Sequence, residues 1–258
     1  MKKAIKKLMK IFFIVVLIFM LIGFGYIGYK SSKHISFSRQ RKNVLTSKNV
    51  RFVVREYYDD YMQNRTFFRK GKDVSMDINT YYYNSSEKKD SYSRIYASAE
   101  VKPYLQGNSL TIDYGEKKFW LVNSNIGIGL LYSSYPRISN IVNFYGEQEK
   151  LTDVFFDYIS QIPDILNSKV YSGNDNGKQA RIVDSPRYSY SYDTPEDEEY
   201  TLFRTYFTLD TNLPYKRTKV KIDGTEKLVS EYDIQFGVVT DDDVNLPNLT
   251  EFSQLYED

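Results

Sequence analysis

Cysteine is absent from this 258-residue sequence, and histidine occurs only once, as His34. Without cysteine the protein has no disulfide framework, no thiolate nucleophile, no zinc–thiolate site and no cysteine-linked lipid anchor. A single histidine excludes His-based catalytic triads and multi-histidine metal sites. We therefore expect no metal and no cofactor, and the sequence predicts a protein that is not an enzyme.

Acidic residues are absent from residues 1–48, which contain 11 of the 35 Lys and Arg residues. The rest of the chain holds the other 24 basic side chains and all 33 acidic ones, so this larger part is net acidic. Contacts to phosphate dominate nucleic-acid affinity, and an acidic folded part does not provide them. The charge distribution therefore predicts no nucleic-acid partner.

Residues 11–29, IFFIVVLIFMLIGFGYIGY, have no charged side chain. As a helix this run would be about 28 Å long, close to the hydrocarbon thickness of a bilayer. We predict a cytoplasmic basic tail at residues 1–10 and a transmembrane anchor at residues 11–29, with the cell membrane as its partner. A cleaved signal peptide is the alternative, but its apolar region is usually shorter, and no A-x-A pattern follows here.

The orientation of the anchor is not fixed by its flanking charges. Five lysines precede it, and five Lys or Arg residues lie between positions 30 and 42. A large domain can cross a membrane regardless of charge, and the short lysine-rich tail has the form of a signal n-region. We predict a single-pass protein with a cytoplasmic amino terminus and an extracytoplasmic domain.

The folded domain is predicted at residues 47–258, after a polar linker at residues 30–46. The 25 tyrosines and 16 phenylalanines favour pleated, half-buried strands. Apolar spacing predicts one helix over 50–61, capped by Ser47, and a second over 151–162. Short strands joined by turns predict a mainly β, antiparallel sheet with helices packed on it. The strand segments are RTFFR, VSMDINTYYY, SYSRIYASA, SLTIDY, KKFWLV, SKVYSG, KQARIVDS, RYSYSY and YTLFRTYFTL, and a last pair within residues 207–236.

The last strand pair alternates apolar and basic positions. We assign one set of even positions to the inner side and the basic row at odd positions to the outer side: Thr218, Val220, Ile222, Leu228, Tyr232, Ile234 and Phe236 against Arg217, Lys219 and Lys221. If the even positions all face the core, directly opposed residues have an even sum, and the loop contains three residues, 223–225, or five, 223–227. The basic row then faces water and is predicted to form a charge ladder with Glu231 and Asp233.

Three segments of the domain form a familiar order: FFRKGKDVSMDI, SLTIDYGEKKFWLVNSN and, after a predicted helix, FTLDTNLPYKRTKV…EYDIQFGVVTDDDVNLPNL. Together they resemble the LolA-like family of extracytoplasmic proteins. Within that family, the pattern is most similar to the germination lipoprotein GerS type of spore-forming bacteria. The resemblance covers residues 67–249 and implies a curved, unclosed antiparallel half-barrel, with helices packed on it and an apolar concavity.

The same resemblance implies a function without chemistry. Members of the family include lipoprotein and glycolipid carriers, and the germination type is a non-enzymatic partner of a cell-wall amidase. Germination lipoproteins carry a lipidated cysteine, which this chain lacks, so the anchor at residues 11–29 would take its place.

Aromatic residues are the candidate ligand or partner surface. RYSYSYD places Tyr188, Tyr190 and Tyr192 on one strand face, where they could stack on a sugar or line a partner interface. Trp120 in KKFWLV is the other candidate. For all four, a half-buried aromatic in the barrel wall is the plainer interpretation.

Two acidic segments could carry chemistry in principle. TDDDV, residues 240–244, could bind a hard cation, and TPEDEEY, residues 194–200, could supply a carboxylate pair for glycoside cleavage. The spacing of the first does not match an EF-hand, and nothing selects a pair in the second. A solvated turn and a charged hairpin loop are the preferred interpretations.

Together these observations predict a membrane-anchored, extracytoplasmic, non-catalytic binding module. Its first candidate partner is a cell-wall amidase or another envelope protein, in the context of germination or sporulation. The alternative is a carrier or sensor of a lipid-like apolar ligand held in the concavity. A glycan-acting enzyme is a third hypothesis.

Overall fold

The computed structural model describes residues 2–84, 90–98, 109–122, 163, 166–186 and 199–255. These residues form one long helix, one sheet and a short 3₁₀ turn at Leu249–Glu251. The helix predicted at residues 151–162 lies outside the described residues. So does the predicted tyrosine strand, with Tyr188, Tyr190 and Tyr192.

Helix α1 runs without interruption from Lys2 to Thr46. It contains the apolar run predicted as the anchor, residues 11–29, and most large apolar side chains of that run are exposed. Within the described part of the chain, α1 is the one helix long and apolar enough to cross a membrane. The prediction of a helical span is therefore consistent with the structure.

The predicted linker at residues 30–46 is helical instead of irregular. No glycine or proline interrupts these residues, so nothing stops the helix at the end of the apolar run. Its buried residues lie on one stripe: Ser31, His34, Phe37, Val44 and Leu45. Because two of them are polar, hydropathy alone does not reveal the stripe. The second part of α1 therefore belongs to the folded domain.

The strands form a single twelve-stranded sheet within the described residues, and it is open, with β12 and β7 at its edges. In chain order they are β1 Asn49–Tyr57, β2 Tyr61–Lys70, β3 Asp73–Tyr82, β4 Ser91–Ser98, β5 Ser109–Asp113, β6 Lys118–Val122, β7 Lys169–Asp175, β8 Lys178–Pro186, β9 Tyr200–Phe207, β10 Pro214–Lys221, β11 Glu226–Phe236 and β12 Ser253–Gln254. Across the sheet the order is β12-β6-β5-β4-β3-β2-β1-β11-β10-β9-β8-β7. Neighbours are antiparallel except β12, which runs parallel to β6. The predicted fold class is confirmed: a mainly β protein with a curved, open antiparallel sheet and one long amino-terminal helix.

The helix predicted over residues 50–61 is wrong. These residues form β1 and the start of β2, joined by a turn in which the Tyr58 N–H donates to the Tyr61 carbonyl at 2.9 Å. Val50, Phe52 and Val54 alternate on one face and are fully buried. The helical spacing was matched by including Val53, which packs on the opposite face. A strand buried on both faces contains apolar residues at odd and even positions, so periodicity does not separate it from a helix.

Four residues, 222–225, lie between the ends of β10 and β11, and the turn enclosed by the last hydrogen bond has three, 222–224, one position earlier than the predicted 223–225. The Lys221 N–H donates to the Thr225 carbonyl at 2.9 Å and closes it. Ile222, predicted to face the core, is at the tip and is 91% exposed. Phe236, at the other end of β11, is 43% exposed and is also outside the core.

A β-bulge in the same hairpin makes the predicted single parity wrong. Arg217 is opposite Ser230, whereas the next residue, Thr218, is opposite Leu228. Val229 is the extra residue, and an extra residue reverses the alternation of faces. Even positions before and after the bulge therefore point to opposite sides of the sheet.

One side of the sheet, called here the helix face, packs against α1. Val44 and Leu45 of α1 join a core formed by Val50, Phe52, Val54, Phe67, Met76 and Tyr232. Further along α1, Phe37 packs against Val183 and Phe207, with a centroid distance of 4.5 Å between the two phenylalanine rings. The second part of α1 thus closes the helix face over β1–β3 and over β8–β9.

The opposite side, called here the far face, is covered over β2–β6 by the carboxy-terminal tail. Val239 and Val244 pack on Phe68 of β2. Leu246, Leu249 and Phe252 pack on a second cluster on β4 and β5: Tyr96, Leu110 and Ile112. Both sides of the sheet are therefore covered by segments of the same chain.

Because neighbouring strands are antiparallel, each connecting loop lies at one of the two ends of the sheet. The end at which β7, β9 and β11 begin, called here the anchor end, carries the β10–β11 hairpin and the β1–β2 turn. Lys30 of α1 donates to the carbonyl of Ser168, directly before β7, at 3.1 Å. Near its other terminus, α1 meets the opposite end, where Arg69 donates to the Leu45 carbonyl at 2.6 Å. The apolar part of α1 therefore leaves the domain at the anchor end.

Candidate functional site

The junction between the anchor and the domain is built around His34. This histidine is 1% exposed, and its Nε2 lies 2.8 Å from the hydroxyl of Ser168. Burial, and then the nearby charge of Lys30, lower the pKa of His34 to about 4. At neutral pH the imidazole is neutral and shares a hydrogen bond with Ser168, so it serves as a fixed contact of α1.

The helix face at the centre of the sheet is filled by side chains of the chain itself. Phe52 lies between Phe67, at a centroid distance of 5.7 Å, and Tyr232, at 6.2 Å. Val44 and Leu45 close this stack from the helix side. The resemblance implied an apolar concavity, and over β1–β3 that space is occupied by the protein's own core.

A polar network lies on the far face of β7–β11 and was not anticipated from the sequence. Its members come from five strands: Tyr171, Asp184, Arg204, Tyr206, Thr218 and Glu226. Arg204 donates to both oxygens of Asp184 at 2.8 and 2.9 Å and to Glu226 at 2.7 Å. The hydroxyls of Tyr206 and Thr218 each donate to Glu226 at 2.8 Å. One guanidinium thus joins two carboxylates across the sheet.

The pKa shifts of Glu226 and Tyr171 do not favour a general acid in this network. Burial acts to raise the pKa of Glu226, but hydrogen bonds from Tyr206, Thr218 and Arg204 outweigh it, so the pKa is lowered. Burial, with the charge of Asp184, raises the pKa of Tyr171 to about 12. A general acid of a glycosidase needs a raised carboxyl pKa, which is the opposite of what Glu226 has. The network is suited to holding strands together.

The basic row of β10 is arranged differently from the predicted charge ladder. Arg217 lies over the ring of Phe203 at 4.1 Å, and Lys219 lies over the ring of Tyr200 at 4.6 Å. The third residue, Lys221, forms an ion pair with Glu199. The row is therefore a ladder of cation–π contacts on the helix face, which are worth about 0.5–1 kcal/mol each at exposed sites.

The acidic residues predicted to partner that row pair with β1 instead. Arg55 donates to Glu231 at 3.0 Å, and Arg51 lies 3.5 Å from Asp233. The predicted ladder from Arg217 and Lys219 is therefore wrong, because the bulge moves both residues to the face opposite the two carboxylates.

Trp120 occupies the helix face of β6, near one edge of the sheet. It is half-buried and lies opposite Thr111. The cross-strand row continues through Ile95 and Met76 towards the core under α1. Trp120 is therefore the outer member of a largely apolar row whose inner end packs against α1. Tyr188, Tyr190 and Tyr192 lie outside the described residues, so their position relative to Trp120 stays a prediction.

Tyrosines also collect at the anchor end of the sheet. Tyr58 stacks on Tyr61 at a centroid distance of 4.4 Å, and Tyr61 contacts Tyr82 at 5.7 Å. Tyr81 and Tyr83 are exposed beside them. The sequence shows these residues as YYDDY and TYYY. Their assembly depends on the pairing of β2 with β3.

The acidic segments have structural roles where they are described. Asp243 accepts hydrogen bonds from the N–H and the hydroxyl of Thr240 at 2.8 and 2.7 Å, and Asp241 pairs with Lys70 at 2.9 Å. TDDDV is thus a capped turn. Of TPEDEEY, only Glu199 and Tyr200 are described, and both contact basic residues of β10. Within the described part of the chain, no group of three or more His, Asp and Glu side chains is placed to hold a metal ion.

Comparison with known proteins finds likenesses of low sequence identity among solved structures. No family model matches the sequence, and no curated protein matches it. An uncharacterized conserved protein from Thermus thermophilus is 5% identical, with a TM-score of 0.40 over 84% of this chain and 96% of the other. MucB in complex with MucA(peri) is 9% identical, with a TM-score of 0.33 over 86% of this chain and 61% of MucB. A LolA superfamily protein from Nitrosomonas europaea is 8% identical, with a TM-score of 0.24 over 82% and 96%.

Proposed function

We propose that this protein is a membrane-anchored, extracytoplasmic module that binds an envelope protein and performs no chemistry of its own. The observation that carries the proposal is the continuity of α1. One helix contains the apolar span and, without a break, the residues that complete the core of the domain. Such an arrangement presents the domain at a fixed position near a membrane.

The packing of the helix face favours a protein partner over a carried lipid. Over β1–β3 and β8–β9 the apolar side chains of the sheet are already covered by Phe37, Val44 and Leu45. A carrier requires an open apolar space of several hundred Å³ for its ligand. The lipid-carrier alternative therefore depends on the row that ends at Trp120, where half-buried side chains line the outer strands.

A cell-wall amidase is the partner to test first, because the sequence pattern is most similar to the germination lipoprotein GerS type. Tyrosine and tryptophan are enriched at the energetic centres of protein interfaces. Trp120 is accordingly the described residue that we assign to the partner surface, together with Tyr188, Tyr190 and Tyr192.

The full-length chain, purified from membranes in detergent, would be tested against each purified cell-wall amidase of its own organism. The dissociation constant is measured by isothermal titration calorimetry, which does not depend on tryptophan emission. Binding that is weakened at least about tenfold in Trp120→Ala and unchanged in Lys72→Ala supports the proposal; tenfold corresponds to about 1.4 kcal/mol. Native mass spectrometry that finds a retained lipid and no protein partner would establish the carrier instead.

A further inference from the structure

The tip of the β10–β11 hairpin is an exposed apolar point at the anchor end of the sheet. Ile222 is 91% exposed, although it is a large aliphatic residue. Lys221 directly precedes it, and Lys219 and Lys227 lie opposite each other one step further into the hairpin. Lys221 pairs with Glu199 and Lys227 pairs with Asp59, so the apolar tip is flanked by lysines whose charge is partly neutralised.

The register places this tip further towards the anchor than the first contacts of α1. Val170, Val183, Thr205 and Arg217 form one row across β7–β10. Ser168, which contacts Lys30 and His34, lies two residues beyond that row, whereas Ile222 lies five residues beyond it. At about 3.3 Å per residue, the tip projects about 10 Å further along the strand direction than Ser168. It lies about 15 Å to the side of Ser168, because β7 and β10 are separated by three strand spacings of about 4.8 Å.

The path of α1 makes the anchor end the membrane side of the domain. The helix crosses the sheet obliquely, from Ser168 at the anchor end to Arg69 at the opposite end. Its apolar part ends at Tyr29, and the next residue, Lys30, already contacts the domain. With no irregular residue between span and domain, the bilayer surface lies close to the loops of this end.

From this geometry we infer that the hairpin tip inserts Ile222 into the headgroup region of the same bilayer that α1 spans. The exposed Tyr58, Tyr81 and Tyr83 lie at the same end, and tyrosine is enriched where protein meets the membrane interface. Lysine side chains near such a tip keep their charge at headgroup level while their stems cover apolar surface. The inference rests on the proposed function only in requiring that α1 is a membrane span.

The test uses the full-length chain in nanodiscs of phosphatidylethanolamine and phosphatidylglycerol, with or without a doxyl-labelled lipid as quencher. The absence of cysteine allows one environment-sensitive label at a time. Thr225→Cys places it beside the tip, Asp210→Cys at the opposite end of the sheet, and Tyr29→Cys at the end of the span. We expect doxyl lipid to quench the Thr225 and Tyr29 labels at least about twofold more than the Asp210 label. Ile222→Asp should abolish the excess quenching at Thr225 and leave that at Tyr29.

The outcomes separate this inference from the proposed function. Quenching at Tyr29 without quenching at Thr225 overturns the inference and leaves the anchor intact. If the label at Thr225→Cys is quenched equally whether residue 222 is isoleucine or aspartate, the inference is also overturned. The Ile222 side chain would then not be the group that inserts. Absence of quenching at Tyr29 overturns both the anchor and the inference. Circular dichroism of the Ile222→Asp variant verifies that the sheet is retained.

Discussion

At the level of single residues, Ile234 and Lys219 compare two positions on the helix face, one in the core and one outside it. Ile234 packs against the core of the helix face, whereas Lys219 lies over the ring of Tyr200 and opposite Lys227. Ile234→Asp places a carboxylate among apolar side chains and should cost about 3 kcal/mol or more. Lys219→Asp loses a cation–π contact but faces a lysine, so its cost should be about 1 kcal/mol or less. Thermal melts of the two variants compare them, and equal losses would contradict the assignment of Ile234, and not Lys219, to the core.

Arg204 and Arg55 allow the stability contribution of a largely buried ion pair to be compared with that of an exposed one in the same sheet. Arg204 joins Asp184 and Glu226, with side-chain exposures of 23%, 11% and 26%, whereas Arg55 and Glu231 are 45% and 41% exposed. Arg204→Met leaves two carboxylates without their cation and should destabilise the fold by about 3 kcal/mol. Arg55→Met should cost less than about 1 kcal/mol. Denaturant melts measure both, and a small effect of Arg204→Met would show that the network does not hold the strands.

His34 should make stability depend on pH. Its pKa is about 4 in the folded protein and about 6.5 when unfolded, so the unfolded chain binds the proton more tightly. Its contribution is complete above pH 6.5 and is lost as pH falls towards 4, by on the order of 2 kcal/mol. His34→Gln can still hydrogen-bond Ser168 but does not titrate there. The melting temperature of the parent protein should therefore fall more steeply over this interval than that of His34→Gln. Parallel curves would show that His34 is not the group responsible.

At the level of elements, the domain should require the second part of α1. A fragment of residues 31–258 retains Phe37, Val44 and Leu45, whereas one of residues 47–258 exposes the apolar surface that they cover. Removing a buried phenylalanine or leucine alone costs about 3–5 kcal/mol, a large part of the stability of most domains. We expect a cooperative melt for the longer fragment and none for the shorter.

The point variant Phe37→Ala in the longer fragment is the intermediate case. It should lower the melting temperature without abolishing the transition, because Val44 and Leu45 remain in place. A shorter fragment as stable as the longer one would restore the predicted domain start at residue 47 and show that the α1 contacts are dispensable.

Element by element, the sequence predicted strands better than helices. The β2–β9 segments that are described were found from alternation and turn residues, and these are local signals. The helix predicted over 50–61 failed because β1 is apolar on both faces, through Phe52 on one and Val53 on the other. The bulge at Val229 has no glycine or proline to mark it in the sequence, and it lies in the pairing of β11 with β10.

At the scale of the whole molecule, we predict that the amino terminus lies in the cytoplasm and the domain outside it. With the amino terminus inside, protease added to intact protoplasts should remove the domain and leave the tail at residues 1–10 protected. The physical reason is that a large domain after the span is translocated regardless of the nearly balanced flanking lysines. Western blots with tags at each end give the result, and a cytoplasmic enzyme serves as the control for lysis. A protected domain would show the opposite orientation and contradict an extracytoplasmic role.

Residues close together in the chain were enough to predict the apolar span and most strand segments, and composition alone showed the absence of cysteine chemistry and the preference for strands. That residues 31–46 belong to the core was visible only in the folded molecule, since two of their buried residues, Ser31 and His34, are polar and give no hydropathy signal. The tertiary fold also set the faces of the last hairpin and assembled Asp184, Arg204 and Glu226 from three strands. These features depend on register between strands distant in sequence, and a register fixed by packing on both faces leaves no local signal.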